Sequence, residues 1–170
     1  LNVLDGGLYR NNALYKNGTG AGCELHVLFD GGIAEQRADG NVSWIKSDLT
    51  SARIGTRGAV FRTGSGATAN RMLTVSCSFM ATNSHPGEVA QGMTIRTMNA
   101  TKNSGFRFLA SQHWDGPTVI ENGGVCELGV GGMLPMTTDL MIAAGGRLVL
   151  ASASQSVVSL TFGVGRSEER

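Results

Sequence analysis

Ser156-Val157-Val158-Ser159-Leu160-Thr161-Phe162-Gly163-Val164 alternates without a break. Val158, Leu160, Phe162 and Val164 fall on one side, and Ser159, Thr161 and Gly163 on the other. That is the period of a strand with one buried face. Arg147-Leu148-Val149-Leu150-Ala151 upstream is also strand-like. The Ala-Ser-Gln-Ser between the two runs is a loop of hairpin length. Before them, the short apolar run Leu140-Met141-Ile142 leads into the turn Ala143-Ala144-Gly145-Gly146. The segment from Asp139 to Gly165 therefore predicts three consecutive strands that close a β-domain.

The same reading extends outward. In Met72 to Met80, Leu73, Val75, Cys77 and Phe79 share one face, opposite Thr74, Ser76 and Ser78. Glu24 to Phe29 is a strand ended by Asp30-Gly31-Gly32. Phe106 to Ala110 is another, with Phe106 and Phe108 inward. Thr118-Val119-Ile120 and Val125-Cys126-Glu127-Leu128 flank Asn122-Gly123-Gly124, which reads as a hairpin turn. No segment carries a helical stripe, and Ile33 to Asp39 offers one turn at most. About ten short strands at roughly 8–12-residue spacing predict an all-β, antiparallel β-sandwich of jelly-roll type, with about 8–10 strands. No internal repeat or composition break marks a second domain. The expected organisation is an extended N-terminal arm over 1–22, one domain over 23–165 and a polar tail over 166–170. Leu4, Leu8, Tyr9, Leu14 and Tyr15 are the apolar anchors of that arm, suited to locking onto a neighbouring subunit.

Composition narrows the function. Hydrophobic residues make up 41% and Pro only 3 positions, so the chain can build a core. Glycine occupies 25 of 170 positions without a three-residue period, which excludes collagen and points to many tight turns. The net charge of +1, with no basic stripe, argues against a nucleic-acid partner. No apolar run reaches membrane-spanning length. The first residues carry no signal pattern, and a start at Leu1 fits a trimmed or processed chain. Three cysteines, an odd number, do not make a disulfide framework.

Chemical constellations are few. Cys23 and His26 have C-x-x-H spacing, but residues three apart on a strand face opposite ways, and no second ligand pair matches them. Asp30 and Asp39 sit in Gly-containing turns that lack the order of a calcium loop. Ser65 lacks the first glycine of a nucleophile elbow. No metal, cofactor or catalytic residue is assigned, and the chain is not read as an enzyme. The most site-like cluster is His113-Trp114-Asp115, with Glu121 nearby. It sets an aromatic ring, an imidazole and carboxylates in one region, a chemistry suited to holding a glycan or another surface.

The stretch Leu134-Pro135-Met136-Thr137-Thr138 followed by Asp139 to Ala153 resembles the closing strands of small β-sandwich structural proteins of tailed bacteriophage virions, such as capsid decoration (cement) proteins and tail-fibre modules. In that group the pattern is an apolar run, a small-residue and glycine turn, L-x-V-x-A-S, then a last alternating strand. The resemblance implies a jelly-roll-like fold, often trimeric, that works on the particle surface. It would contact copies of itself and other virion proteins such as the major capsid protein. The alternative reading is a receptor- or glycan-binding module of a tail fibre or spike.

Overall fold

The computed structural model describes residues 1–16, 22–36, 43–64, 72–82, 87–98, 104–151 and 154–163. Among them are sixteen short strands and no helix. In chain order these are β1 (Asn2–Leu4), β2 (Leu8–Asn11), β3 (His26–Asp30), β4 (Gly32–Gln36), β5 (Ser43–Ile45), β6 (Ser51–Ile54), β7 (Ala59–Thr63) and β8 (Met72–Val75). They continue as β9 (Met80–Ala81), β10 (Met93–Thr97), β11 (Gly105–Phe108), β12 (Thr118–Ile120), β13 (Val125–Leu128), β14 (Asp139–Ile142), β15 (Arg147–Leu150) and β16 (Ser159–Phe162).

The strands form three sheets, ordered β1-β3-β6-β9, β2-β4-β7-β10-β12-β14-β16 and β5-β8-β11-β13-β15. The chain visits the three sheets in turn, and each strand pairs with the one laid down a coil earlier. Isolated bridges Leu14↔Ile45, Met80↔His113 and Ser111↔Met133 extend two of the sheets where no full strand forms. The result is a solenoid, a parallel β-helix whose coils stack about 4.8 Å apart. A coil takes between 20 residues, from Asp139 to Ser159, and 34, from Thr63 to Thr97.

This corrects the expected antiparallel, jelly-roll-like sandwich. Every strand ladder is parallel. The physical reason lies in the turns. Asn122-Gly123-Gly124 does not fold β12 back on β13; it is a corner that carries the chain from one sheet to the next. The segment between β15 and β16 does the same: β15 pairs with β13, and β16 with β14. Met72 to Met80 is not one strand either. β8 ends at Val75, and the chain bends before β9 enters another sheet. The expected arm supplies β1 and β2, the first strands of their sheets.

Alternation decides which side chains enter. In β7, Ala59, Phe61 and Thr63 are buried, while Val60 and Arg62 face outward. Phe61 packs edge-on to Phe29 and Phe79, at 5.7 and 5.4 Å between ring centres, and to Trp44 at 5.3 Å. Phe106 lies 5.3 Å from Trp44, and Phe108 lies 6.0 Å from Trp114. Truncating one such buried ring to Ala costs about 3–5 kcal/mol. Phe106 and Phe108 are inward, as the alternation predicts.

The glycine excess has its explanation at the corners. Gly92 has φ of 66°, and a Cβ there would stand 1.9 Å from the Pro117 carbonyl oxygen of the next coil. Gly87 has φ of 87° but open space around it. Gly92→Ala is expected to lower stability by more than about 3 kcal/mol, because strain and a backbone clash add. Gly87→Ala should cost only about 1 kcal/mol, from strain alone. Urea midpoints of the two variants check the difference.

Candidate functional site

The structure separates the residues that the sequence groups together. Trp114 is fully buried. Its indole Nε1 donates to Thr118 Oγ1 at 3.2 Å inside the core. No ring face is left on which a sugar could stack. His113 is exposed and continues the first sheet beside Met80. Asp115 lies exposed at the corner before β12, and Glu121 lies at the opposite end of that strand. Glu121 is engaged elsewhere: Arg96 Nε and Nη2 donate to its two oxygens at 2.5 and 2.7 Å. This bond raises the Arg96 pKa above its ordinary value, against the lowering effect of partial burial.

The N-terminal anchors are likewise divided. Leu14 is buried, and Tyr9 packs against the core, while Leu4, Leu8 and Tyr15 remain exposed. Among the other candidates, Cys23 is exposed, and His26 bonds to Glu24 at 2.9 Å and Ser51 at 2.8 Å. Asp30 is buried in a corner, where it accepts the Arg57 backbone N–H at 2.9 Å. Asp39 and Ser65 lie outside the described residues, as does the tail 166–170. Among the described residues no three His, Cys, Asp or Glu side chains gather as a metal site. No helix among them is long and apolar enough to cross a membrane.

Polar groups inside the solenoid are matched to one another. Thr63 and Thr97 share a hydrogen bond of 2.9 Å between coils, and Thr118 and Thr138 share another of 2.9 Å. Thr138 also donates to the Gly116 carbonyl at 2.9 Å. Buried Gln112 accepts the Phe79 N–H at 2.9 Å and donates to the Cys77 and Ala110 carbonyls at 3.0 and 2.8 Å. These groups are structural, since each is satisfied within the core.

Two surface features stand apart from this self-sufficiency. The first is the last described coil of the solenoid. β15 and β16 are the last strands of their sheets. Leu160 and Phe162 stand in register with buried Leu140 and Ile142, so they occupy interior positions. They are nevertheless 49% and 65% exposed, and Leu150 is 48% exposed. Ile142, Leu148, Leu150, Leu160 and Phe162 line an open groove of about 530 Å³. The opposite end is closed. Trp44 lies on the edge strand β5, yet it is only 1% exposed. Its indole donates to Asn11 Oδ1 at 2.8 Å, and Asn11 Nδ2 donates to the Tyr9 hydroxyl at 3.2 Å.

The second feature is a ladder of charge on the outer face of the seven-stranded sheet. Arg10, Glu35, Arg62 and Arg96 stand in register on successive strands, and Glu121 follows on the next coil. Glu35 is held between two guanidiniums in ion pairs, 2.5 Å from Arg10 Nε and in contact with Arg62 Nη2. The one signal for the ladder was the echo of Phe61-Arg62-Thr63 in Ile95-Arg96-Thr97. Arg107 and Glu127 form a similar bidentate pair on another sheet, at 2.7 and 3.1 Å.

Comparison of the chain with protein-family models, with curated proteins and with solved structures returned no match.

Two outcomes follow from this geometry. Cys77 is buried and its thiol is pushed up to about 12, and fully buried Cys126 is pushed up as well, in both cases chiefly by desolvation. A thiol-reactive disulfide reagent should therefore titrate one cysteine, Cys23, in the native protein and all three after unfolding. Glu35→Gln removes the partner of the mostly buried Arg62 and should cost about 2–4 kcal/mol in a urea melt. Glu127→Gln, whose partner Arg107 is 43% exposed, should cost less than about 1 kcal/mol.

Proposed function

We propose that this chain is a structural module that works by protein–protein contact, holding to further copies of itself through the open C-terminal end. The observation that carries this is the exposure of interior positions at β15 and β16. In a solenoid each coil covers the one before it, and the terminal coils of a soluble array normally present a polar outer face. Here Tyr9, Asn11 and the Leu14 segment provide that closure over Trp44, while among the described residues none lies over Leu148, Leu150, Leu160 and Phe162 as a further coil would. Each such side chain contributes about 1–2 kcal/mol when a partner removes it from water. The flanking edges also offer backbone donors and acceptors for strand addition.

The polarity of the molecule favours a closed assembly. The N-terminal end is covered and polar-tipped, so head-to-tail stacking would set an apolar face against a hydrogen-bonded one. Contact between like ends matches apolar with apolar and yields a closed oligomer instead of a fibre. Such isologous contact closes as a dimer, whereas the trimer that the resemblance of residues 134–153 implies would need heterologous contacts between different surfaces. A virus particle is the assembly to try first on the same ground, which is now the turn-and-strand pattern alone. The jelly roll that accompanied it is not what the chain forms.

Size exclusion with light scattering across a dilution series tests the reading. The parent should run as a salt-resistant oligomer. Phe162→Asp and Leu150→Asp should run as monomers with the parent's urea midpoint measured at low protein concentration. A parent that stays monomeric throughout the series overturns the proposal. Co-sedimentation of the oligomer with candidate particles then asks about the setting.

A further inference from the structure

The charge ladder contains one step that its own residues leave unbalanced. Read along the sheet from β2 to β12, the signs run Arg10, Glu35, Arg62, Arg96, Glu121. Alternation holds everywhere except between Arg62 and Arg96. These two guanidinium-bearing residues are direct partners on adjacent parallel strands. Like charges on neighbouring strands are unfavourable without a counter-ion. Among the described residues, the two carboxylates of the ladder lie on the far sides of the pair. Glu35 belongs to β4, beyond Arg62, and Glu121 follows β12, beyond Arg96.

The donors at this step are also incompletely used. Arg62 sets Nη2 against Glu35, but its Nε is buried and has no hydrogen-bond partner among the described residues. A buried donor left without an acceptor is rare and points to a missing group. Arg96 spends Nε and Nη2 on Glu121. Arginine has five donors in a planar fork, and among the described residues no hydrogen bond engages Nη1 of either residue. Beside the pair, the same two strands contribute Val60 and Thr94 to a shallow cavity of about 190 Å³, also lined by Arg57, Gln91 and Gly92. The cavity begins two residues along the strands from the arginines, on the same outward face as Val60 and Thr94.

We infer that the β7/β10 step is a binding site for an oxyanion, a phosphoryl group or carboxylate that bridges Arg62 and Arg96 and completes the alternation of the ladder. The rest of the ligand would lie toward Thr94, Gln91 and Arg57. This site is on the outer face of the sheet and does not depend on the open end.

Thermal melts in inorganic phosphate, compared with chloride at matched ionic strength, test it. The parent's midpoint is expected to rise by about 3 °C for each tenfold of phosphate above its Kd. Removing Arg62 would strand buried Glu35, so the variants are chosen elsewhere. Arg96→Gln keeps the Arg62–Glu35 pair and should lose the phosphate response. Thr94→Glu places a carboxylate two residues from Arg96 on the same face and should also abolish the response, by supplying the missing charge from within. Citrate in place of phosphate sorts the ligand class, and a response to either anion that both variants lose supports the site. A parent unmoved by phosphate and by citrate overturns it. Equal responses in the parent and both variants also overturn it, since that is a general salt effect on burial.

Discussion

Each coil of this solenoid must set its inward side chains on those of the coil before it, in register and at the spacing of two hydrogen-bonded strands. The interior is thus a set of columns. Tyr9, Ala34, Phe61, Ile95, Ile120, Ile142 and Phe162 form one of them by strand register. A column tolerates changes of size only where a neighbouring column compensates. Ala34 is small beside Phe61, and Phe29 and Trp44 from the other sheets close on the Phe61 ring. The aromatic residues are concentrated where three sheets must fill a wide middle, and smaller aliphatics take over toward the C-terminal coils.

The same stacking explains the polar interior and the corners. A threonine at an inward position finds a hydroxyl partner because the next coil places a threonine there, as with Thr63 and Thr97. Such a pair gives each desolvated hydroxyl a partner that an apolar neighbour could not supply. At the corners the backbones approach so closely that a side chain has nowhere to go, which is why Gly92 faces the Pro117 carbonyl. Outside, where columns are wet, stacking converts into alternating charge. The constraint is one and the same: what a coil places at a position determines what the next coil can place there.

Much of the strand content was legible in the sequence, and the sheet connectivity was not. Period-2 alternation identifies a strand with one buried face and is blind to the direction of its partner. Phe106 and Phe108 face inward in either arrangement. The decision was made at the turns, where Asn122-Gly123-Gly124 fits a hairpin and a solenoid corner equally well by composition. A fixed repeat would have betrayed the coils, but coil length varies from 20 to 34 residues, so self-similarity is diluted. Only fragments survive, such as Phe61-Arg62-Thr63 against Ile95-Arg96-Thr97. The His113-Trp114-Asp115 cluster misled for a related reason. Adjacent residues on a strand-like segment face opposite ways, and Trp114 follows the inward direction into contact with Phe108 and Thr118.

The two ends of a solenoid face different problems, and this chain resolves only one of them within its described residues. At the start, the first coil itself serves as the lid: Tyr9 and Asn11 of β2 bring polar groups to satisfy the Trp44 indole, and Lys46 sits 4.3 Å from the Tyr15 ring centre. Such a lid ends the columns by replacing the next layer with side chains that are apolar on one side and polar on the other. At β16 the columns instead continue with Leu160 and Phe162, the residue types that suit a position about to be covered. Their exposure costs solubility, and alternation alone does not require it, since Ser or Thr there would preserve the strand. The columnar logic that selects Phe61 for the middle therefore also selects Phe162 for a coil that expects another layer on top of it.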